Sequence, residues 1–285
     1  MTETTPTRIR VLSWNIRYDA WTPSRREAVH ALLAAQAPDV VCLQEIPSDD
    51  PARARDIAEH LGLAARIAPA PNGLHTAVLV PPGWEEVAWD VKYASALWHG
   101  AGALTVRAPS WPVPLTVVSA HLVPHDVDAA VGEARLLIGR VQRQGCPGIL
   151  VGDINHAPWM GPEPDWSRVP AHNRSARTVL DPARPEELVA DRRVGLVLRR
   201  GGLVDAAELH HARTGDDAVL EATGHYGRLR VDQVHLYRLE GALLGYERLP
   251  LTLDSAGDPV ESDHHPIVVD LDLGRVADTA VHAWH

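Results

Sequence analysis

The segment Ile149–Asn155, with the sequence ILVGDIN, places the tightest limits on how this chain can fold. Its apolar residues indicate a buried strand, and a carboxylate and a carboxamide follow at the end of that strand. Because side chains alternate along an extended chain, Asp153 and Asn155 are predicted to point to the same side. The segment therefore predicts a core strand that delivers two polar groups together, as a catalytic pair requires.

Six segments share this arrangement, in which an apolar strand ends on polar side chains. Buried carboxylates are costly unless they are paired or bind a metal, so these residues require partners. Their recurrence in one chain favours a single polar site at the strand ends. The residues are Asn15, Glu45, His121, Asp153 with Asn155, Asp232, and Asp263 with His264.

Taken singly, these residues also have simpler interpretations. Glu45 could cap a loop or pair with an arginine, and His121 could be a hydrogen-bonded core histidine. Asp232 could pair with Arg230 or Arg228 on a solvated face, and Asp263 could stabilise a turn. The conjunction of all six segments favours the functional interpretation over these alternatives.

The chemistry of the set points to phosphorus. Carboxylate and carboxamide oxygens suit Mg²⁺ or Mn²⁺ better than zinc. His264 beside Asp263, together with Asp232, offers a histidine that an acid can orient or charge. A metal and a cationic histidine offset charge on phosphate oxygens while an aspartate activates water, so the set contains what phosphoester hydrolysis needs.

Composition limits the class of protein. A formal charge of -10 argues against nucleic-acid binding through bulk electrostatics, although it leaves room for a local basic groove. The first ten residues lack the apolar core of a signal peptide, and no run approaches the roughly 18 apolar residues of a membrane span. Cys42 and Cys146 are too few for a disulfide scaffold. We therefore expect a cytoplasmic protein with reduced cysteines.

The order of the predicted elements indicates an α/β layered fold with substantial antiparallel pairing. No linker, charge run or repeat divides the chain, so we predict one domain over residues 1–285 with a core at about 8–273. Residues 156–173 are irregular and follow Asn155 directly, so they are predicted to overhang the site. Strands are predicted at 8–16, 40–46, 76–80, within 84–106, and at 114–122, 149–155, 230–236 and 265–271. Helices are predicted at 24–35, 51–61, 127–144, 175–181 and 193–198, with another beginning near 203–207.

Six short blocks occur in a characteristic order: SWNI (13–16), LQE (43–45), SAHL (119–122), GDIN (152–155), VDQV (231–234) and SDHHP (262–266). In these blocks the chain resembles the exonuclease–endonuclease–phosphatase superfamily over about residues 8–273. That superfamily includes secreted deoxyribonucleases, abasic-site endonucleases, inositol-phosphate 5-phosphatases and neutral sphingomyelinases. The resemblance implies a four-layer α/β sandwich, in which two mixed, largely antiparallel sheets pack face to face between helices.

The resemblance also implies roles for the polar residues. Glu45 would be the principal metal ligand, with Asn15 and Asp263 nearby on the metal or the phosphate. Asp153 would align or deprotonate the attacking water, and Asn155 would hold a phosphate oxygen.

The two histidines have implied roles as well. His264 would contact the scissile phosphate as a cation, with Asp232 bonded to its other nitrogen. His121 matches the second histidine of the family, near the phosphate or the leaving oxygen. Some nuclease members pair that histidine with a glutamate in the region of residues 72–77, but this chain has His75 and no acid there.

Three classes of function are compatible with the sequence. The acidic charge favours a hydrolase of a small or lipid-like phosphoester. The alternative is a DNA or RNA nuclease, for which Trp159 and Trp166 could stack on bases. A non-catalytic binding module is disfavoured, because such a chain would be expected to lose some of the polar residues. The arginines that could line a nucleic-acid groove are Arg17, Arg25, Arg26, Arg168, Arg174 and Arg177.

Overall fold

A computed structural model describes residues 7–276, which contain twelve strands and six α-helices. The predicted domain of residues 1–285 also includes 1–6 and 277–285, which lie outside the described residues. The strands are β1 (Arg8–Asn15), β2 (Val40–Pro47), β3 (Ala64–Ala68), β4 (Leu74–Val80), β5 (Glu85–Asp90), β6 (Ala101–Arg107), β7 (Leu115–His121), β8 (Gly148–Asp153), β9 (Val204–Asp205), β10 (Asp232–Tyr237), β11 (Leu243–Arg248) and β12 (Ile267–Asp272). The helices are α1 (Pro23–Gln36), α2 (Ala52–His60), α3 (Val127–Gln142), α4 (Ala171–Arg177), α5 (Arg193–Arg200) and α6 (Ala206–Thr214).

The strands form two six-stranded sheets, in the orders β11-β12-β1-β2-β4-β3 and β5-β6-β7-β8-β10-β9. Each sheet contains one parallel pair, β1 with β2 and β7 with β8, and its other neighbouring strands pair antiparallel. Helices α1 and α3 connect the two parallel pairs, because parallel neighbours require a crossover. Both sheets are thus mixed and largely antiparallel, as predicted.

The alternation of side chains along the strands builds four layers. In β1, Ile9 and Val11 belong to the apolar cluster between the sheets, whereas Leu12 and Trp14 pack with residues of α1 and α2. On the second sheet, the outward-facing residues of β7 and β8, such as Leu150, pack with residues of α3 and α5. The order of layers is therefore helices, sheet, sheet, helices, which confirms the predicted sandwich.

A close approach at Gly152 fixes how the layers meet near the strand ends. Gly152 has φ 143°, and a Cβ built on it would lie 2.0 Å from the carbonyl oxygen of Ala120 and 3.0 Å from Nε2 of Gln44. That amide crosses between the sheets, donating to Oγ of Ser13 at 3.2 Å and to Oγ of Ser119 at 3.0 Å. A side chain at position 152 would displace this polar bridge, which lies just below the polar strand ends.

Several predicted elements differ from the structure. The helix predicted at 175–181 is wrong: α4 ends at Arg177, and the apolar side chains of Val179 and Leu180 are exposed. Helix α1 begins one residue earlier than expected, because the Thr22 side chain accepts a hydrogen bond from the Arg25 amide. Strands β3, β9 and β11 were not predicted, and the remaining predicted helices and strands are confirmed with shifted ends.

No helix within residues 7–276 combines the length and the apolar character that crossing a bilayer requires. Both cysteines are buried and free.

Candidate active site

Strand alternation brings four polar side chains to one end of the space between the sheets. Residues that face this space recur at every second position, and the last of them in β1, β7 and β8 are Asn15, His121 and Asp153. Asp232 begins β10 and lies opposite Asp153 in the antiparallel register, while His121 lies beside Asp153 in the parallel register. The structure thus brings these four predicted residues together, all of them buried.

Asp153 is the centre of this cluster. Its Oδ2 lies 3.1 Å from Nδ2 of Asn15, 3.4 Å from Nε2 of His121 and 3.8 Å from Nε2 of His264. The amide of Asn15 fixes the carboxylate, and the two imidazoles flank the same oxygen. A carboxylate held in this way can align a water molecule and accept its proton.

His264 is held at both its ring and its backbone. Its Nδ1 lies 2.9 Å from Oδ2 of Asp232, its carbonyl accepts from the Trp14 indole at 2.7 Å, and its amide donates to Oγ of Ser262 at 3.2 Å. Burial alone would lower the pKa of His264, but the carboxylates of Asp232 and Asp153 outweigh burial and raise it well above its ordinary value. His264 is therefore an imidazolium near neutral pH.

Asp232 pairs with His264 and not with an arginine. Arg230, its alternative partner from the sequence, pairs with Asp205 at 2.7 Å, and both of those side chains are buried. Burial raises the pKa of Asp232, and its contact with His264 opposes that effect. The simple surface-pair interpretation of Asp232 is thus excluded.

Glu45 reaches the cluster through Asn15. Nδ2 of Asn15 donates to Oε1 of Glu45 at 2.9 Å, and the Tyr18 amide donates to Oε2 at 3.0 Å. Glu45 has φ 63° and lies at an irregularity in the pairing of β2 with β4. A left-handed conformation is uncommon for a residue other than glycine, and such conformations concentrate at functional sites.

Asn155 does not continue the strand that carries Asp153. Strand β8 ends at Asp153, and Asn155 has φ 62°, so the prediction that an extended chain points both side chains to one side is wrong. Instead, the backbone amide of Asn155 donates to Oδ1 of Asp153 at 3.0 Å, which folds the chain back toward the cluster. The Asn155 side chain donates to the Leu122 carbonyl at 2.9 Å and accepts from Nη2 of Arg177 at 3.0 Å.

A cavity of about 230 Å³ opens beside these groups. It is lined by Asn155, Asp263 and His264 of the predicted set, and the Asp263 side chain is half-buried there. His172 and Asn173 also line it. The segment that follows Asn155 therefore returns to the site at its far end, as the sequence predicts for residues 156–173.

The donor chemistry fits a hard divalent cation on the Glu45 side of the cluster. Burial raises the pKa of Glu45, with the hydrogen bond from Asn15 opposing that effect, and no arginine or lysine among residues 7–276 pairs with the Glu45 carboxylate. A bound cation would supply the missing positive charge, and carboxylate and amide oxygens are the ligands that Mg²⁺ and Mn²⁺ prefer. A second grouping, Asp153, Asp232 and His264, has ligand atoms within 4.8 Å of one another. We interpret this grouping as an imidazolium with its two carboxylate partners and not as a metal site, because Nδ1 of His264 is already bonded to Asp232.

His121 has an unexpected neighbour. Its ring stacks on the ring of His99, with centroids 3.5 Å apart and planes at 9°. Burial lowers the pKa of each ring to about 3, so both are neutral near neutral pH. Nδ1 of His75 accepts a hydrogen bond from the backbone amide of Ala70. His99 sits in the loop before β6 and carries no pattern that could have marked it in the sequence.

Three of the six arginines proposed for a nucleic-acid groove are paired within the protein. Arg17 and Arg25 both contact Asp19, and Arg25 is buried. Arg26 contacts Asp56. These three residues therefore do not form a free basic surface.

The two tryptophans of the long loop are also not placed as the base-stacking hypothesis expects. Trp166 is buried and packs in a small cluster with Val169, which supports a role in anchoring the loop to the core. Trp159 is half-buried and lines a different cavity. Of the six arginines, Arg177 is the one that lines the cavity of the site.

Comparison with known proteins agrees with this architecture. A family model described as Endonuclease/Exonuclease/phosphatase family matches residues 12–264. No curated protein is significantly similar in sequence. Truncated TDP2 from Caenorhabditis elegans has a TM-score of 0.62 and 16% identity, with 93% of this chain and 98% of that chain covered.

Two similar structures contain DNA. The 3′ phosphatase NExo from Neisseria, bound to a product DNA hairpin, has a TM-score of 0.61 and 18% identity, covering 93% of this chain and 99% of that chain. TDP2 from D. rerio, complexed with a single-strand DNA product, has a TM-score of 0.60 and 14% identity, covering 92% and 98%. At such identities the likeness shows a shared fold. With the family model matched over most of its length, the chain belongs to the Endonuclease/Exonuclease/phosphatase family, whose members are metal-dependent phosphoester hydrolases.

Proposed function

We propose that this protein hydrolyses a phosphoester, using a water molecule that Asp153 aligns and deprotonates. The observation that carries the proposal is the convergence on Oδ2 of Asp153. One amide and two imidazoles, one of them cationic, lie within 3.8 Å of that oxygen. Carboxylate, cation and amide donors at one point are what attack on a phosphorus centre requires.

The histidines would divide the work around the phosphate. His264, held as an imidazolium by Asp232, would bind a phosphate oxygen through Nε2 and offset the charge that develops there. His121, neutral and stacked on His99, would lie beside the same carboxylate and face the phosphate or the leaving oxygen. Asn155 would hold a further phosphate oxygen with its remaining amide hydrogen.

Glu45, Asn15 and Asp263 would hold the divalent cation. Mg²⁺ or Mn²⁺ supplies Lewis-acid stabilisation of the phosphate charge when it is bound. The protein's contribution is an oxygen-only donor set in which the Asn15 amide holds the carboxylates of Glu45 and Asp153 in place. The Asn15 amide would thereby fix the position of Glu45, a proposed metal ligand, relative to Asp153, which activates the water.

A small or lipid-like phosphoester is the substrate class that we favour. The chain carries a net charge of -10, and three arginines proposed for a nucleic-acid groove are paired internally. Polymeric nucleic acid binds mainly through free cationic side chains. A nucleic-acid end is the second candidate, because the structural neighbours NExo and D. rerio TDP2 were captured with DNA products.

A substrate panel tests the proposal. The metal-stripped protein would be assayed with Mg²⁺ or Mn²⁺ restored, on p-nitrophenyl phosphate, bis(p-nitrophenyl) phosphate, a DNA hairpin with a 3′ phosphate, and single-stranded RNA. We expect metal-restored hydrolysis of a small ester that changes little between 50 and 200 mM salt, roughly the range over which nucleic-acid binding weakens steeply. Preferential cleavage of DNA or RNA that collapses over that range would support the nuclease instead. No hydrolysis with either metal on any substrate would contradict the proposal.

A further inference from the structure

Arg177 is the last residue of α4 and is buried against Asn155. Its Nε donates to the Asn155 carbonyl at 2.7 Å, its Nη2 to Oδ1 of Asn155 at 3.0 Å, and its Nη1 to Oδ1 of Asn173 at 2.8 Å. These bonds use three of the five N–H groups of the guanidinium. One N–H on each Nη atom therefore remains for another acceptor.

Arg177 makes no direct ion pair with a carboxylate of residues 7–276, and Asp153 acts on its charge only from a longer distance. Four arginines are buried among residues 7–276, and three of them contact a carboxylate: Arg25 with Asp19, Arg53 with Asp50 and Arg230 with Asp205. Arg177 is 7% exposed and has no carboxylate within 4.0 Å among the described residues. A buried charge is costly without an anion in contact, so Arg177 differs from the other buried arginines in lacking a directly bonded carboxylate.

The place of Arg177 indicates where that anion would come from. It lines the same 230 Å³ cavity as His264 and Asn155. The groups of His264 and Asn155 that we propose for phosphate binding thus share this space with the guanidinium. Arginine presents a planar fork of donors that matches phosphate oxygens.

We propose that Arg177 binds a non-bridging oxygen of the substrate phosphate and selects for phosphomonoesters. This inference rests on the proposed hydrolase function. A monoester phosphate carries nearly two negative charges at neutral pH, since its second pKa is about 6, whereas a diester carries one. The fixed positive charge of a guanidinium with two unused N–H groups at the cavity therefore favours the dianion. The same contacts fix the amide of Asn155, since the guanidinium holds Oδ1 and leaves Nδ2 as the donor.

The test compares variants on two substrates and on phosphate itself. Arg177→Gln, Arg177→Lys and the control Arg174→Gln would be assayed with p-nitrophenyl phosphate and bis(p-nitrophenyl) phosphate, and inorganic phosphate binding to the metal-loaded protein would be measured by calorimetry. Arg174 is a matched control, because it lies one turn earlier in α4, is half-buried, and donates to the Val169 carbonyl outside the cavity.

We expect Arg177→Gln to weaken phosphate binding and raise KM for the monoester by about 10- to 100-fold, the cost of a hydrogen bond to a charged group. The loss on the diester should be several-fold smaller. Arg177→Lys, which keeps the charge, should recover part of the phosphate affinity, and Arg174→Gln should stay within about twofold of wild type. Thermal melting would confirm that each variant is folded. If Arg177→Gln does not fold, Arg177→Lys is compared with wild type in its place.

Two results would overturn the inference. Unchanged phosphate affinity in a folded Arg177 variant would remove the residue from the phosphate site. Equal losses on monoester and diester, with phosphate affinity intact, would reduce Arg177 to a structural support. Because phosphate binding needs no turnover, Arg177-dependent binding without any hydrolysis would contradict the proposed function while leaving the anion site standing.

Discussion

Nδ1 of His264 lies 2.9 Å from Oδ2 of Asp232, in a site where Nε2 of the same ring lies 3.8 Å from Oδ2 of Asp153. One imidazolium is thus placed between two carboxylates that face each other across the β8–β10 pair. Since Asp232 occupies Nδ1, the ring can offer only Nε2 to a substrate. This relationship explains why a chain with few basic residues in its site still has a cation at its centre.

Asp232→Asn should lower activity without changing the metal requirement. The loss of the carboxylate charge lowers the pKa of His264, so the cationic form should disappear at a lower pH. We expect kcat/KM to fall about 10- to 100-fold at neutral pH, with its alkaline limb displaced to lower pH. The checks are a pH–rate profile and a metal titration of both proteins. An unaltered alkaline limb, or a changed metal midpoint, would contradict the assigned role.

The same pair has a consequence for stability. The folded pKa of His264 lies above its unfolded value of about 6.5, so its stabilising contribution is complete below that value and is lost as pH rises through the folded pKa. In Asp232→Asn this contribution should be smaller and its loss should be complete at a lower pH, which urea unfolding across neutral and alkaline pH would show.

Glu45→Gln should raise the metal concentration needed for half-maximal activity by at least about tenfold, since one anionic ligand is lost. In the metal-free protein the variant should be no less stable than wild type, because it removes a half-buried charge that no arginine or lysine among residues 7–276 contacts. The exposed Glu59→Gln is the control. A metal titration that superimposes on wild type would remove Glu45 from the proposed ligand set.

The buried histidines should make the protein sensitive to acid. Burial lowers the pKa of His99 and His121 to about 3 and of His156 and His235 to about 4. In the unfolded chain these groups take up protons below pH about 6.5, so the free energy of unfolding should fall as pH decreases from that value toward their folded pKa values.

The variant His235→Gln measures how much of this acid sensitivity comes from His235. The substituted amide can still donate to Oε1 of Gln233, as Nε2 of His235 does at 2.9 Å. Between about pH 6 and 4.5 the variant should lose up to about 1.4 kcal/mol less stability per pH unit than wild type, the value for one proton. Urea unfolding over this range is the measurement, and parallel slopes would count against a neutral buried His235.

Alternation along strands accounts for the part of the site that the sequence could predict. Asn15, His121 and Asp153 continue the pattern of residues that face the space between the sheets, and Asp232 opens a strand with the same alternation. Each therefore follows from period-two spacing and an apolar run. The position of Asn155 did not follow, because the chain turns into a left-handed conformation after Asp153.

The residues that sequence reasoning missed lie outside regular patterns. Arg177 was expected only as one of six groove arginines, and its contact with Asn155 was not: it comes 22 positions after Asn155, at the end of a seven-residue helix with no apolar periodicity, so only tertiary structure brings the two together. His99 reaches His121 from a loop. Strand β3, whose sequence is AARIA, has weak strand propensity and lies at a sheet edge, where packing imposes little pattern.

The most direct test of the central claim is the turnover of Asp153→Asn against wild type at saturating metal, on the best substrate found. The buried Asp191→Asn, a carboxylate paired with Arg193 outside the cluster, is the matched control. We predict a loss in kcat of about 100- to 10,000-fold for Asp153→Asn, the range for a general base, with the thermal melting curve retained. Wild-type turnover in folded Asp153→Asn would show that Asp153 does not activate the water and would contradict the proposed mechanism.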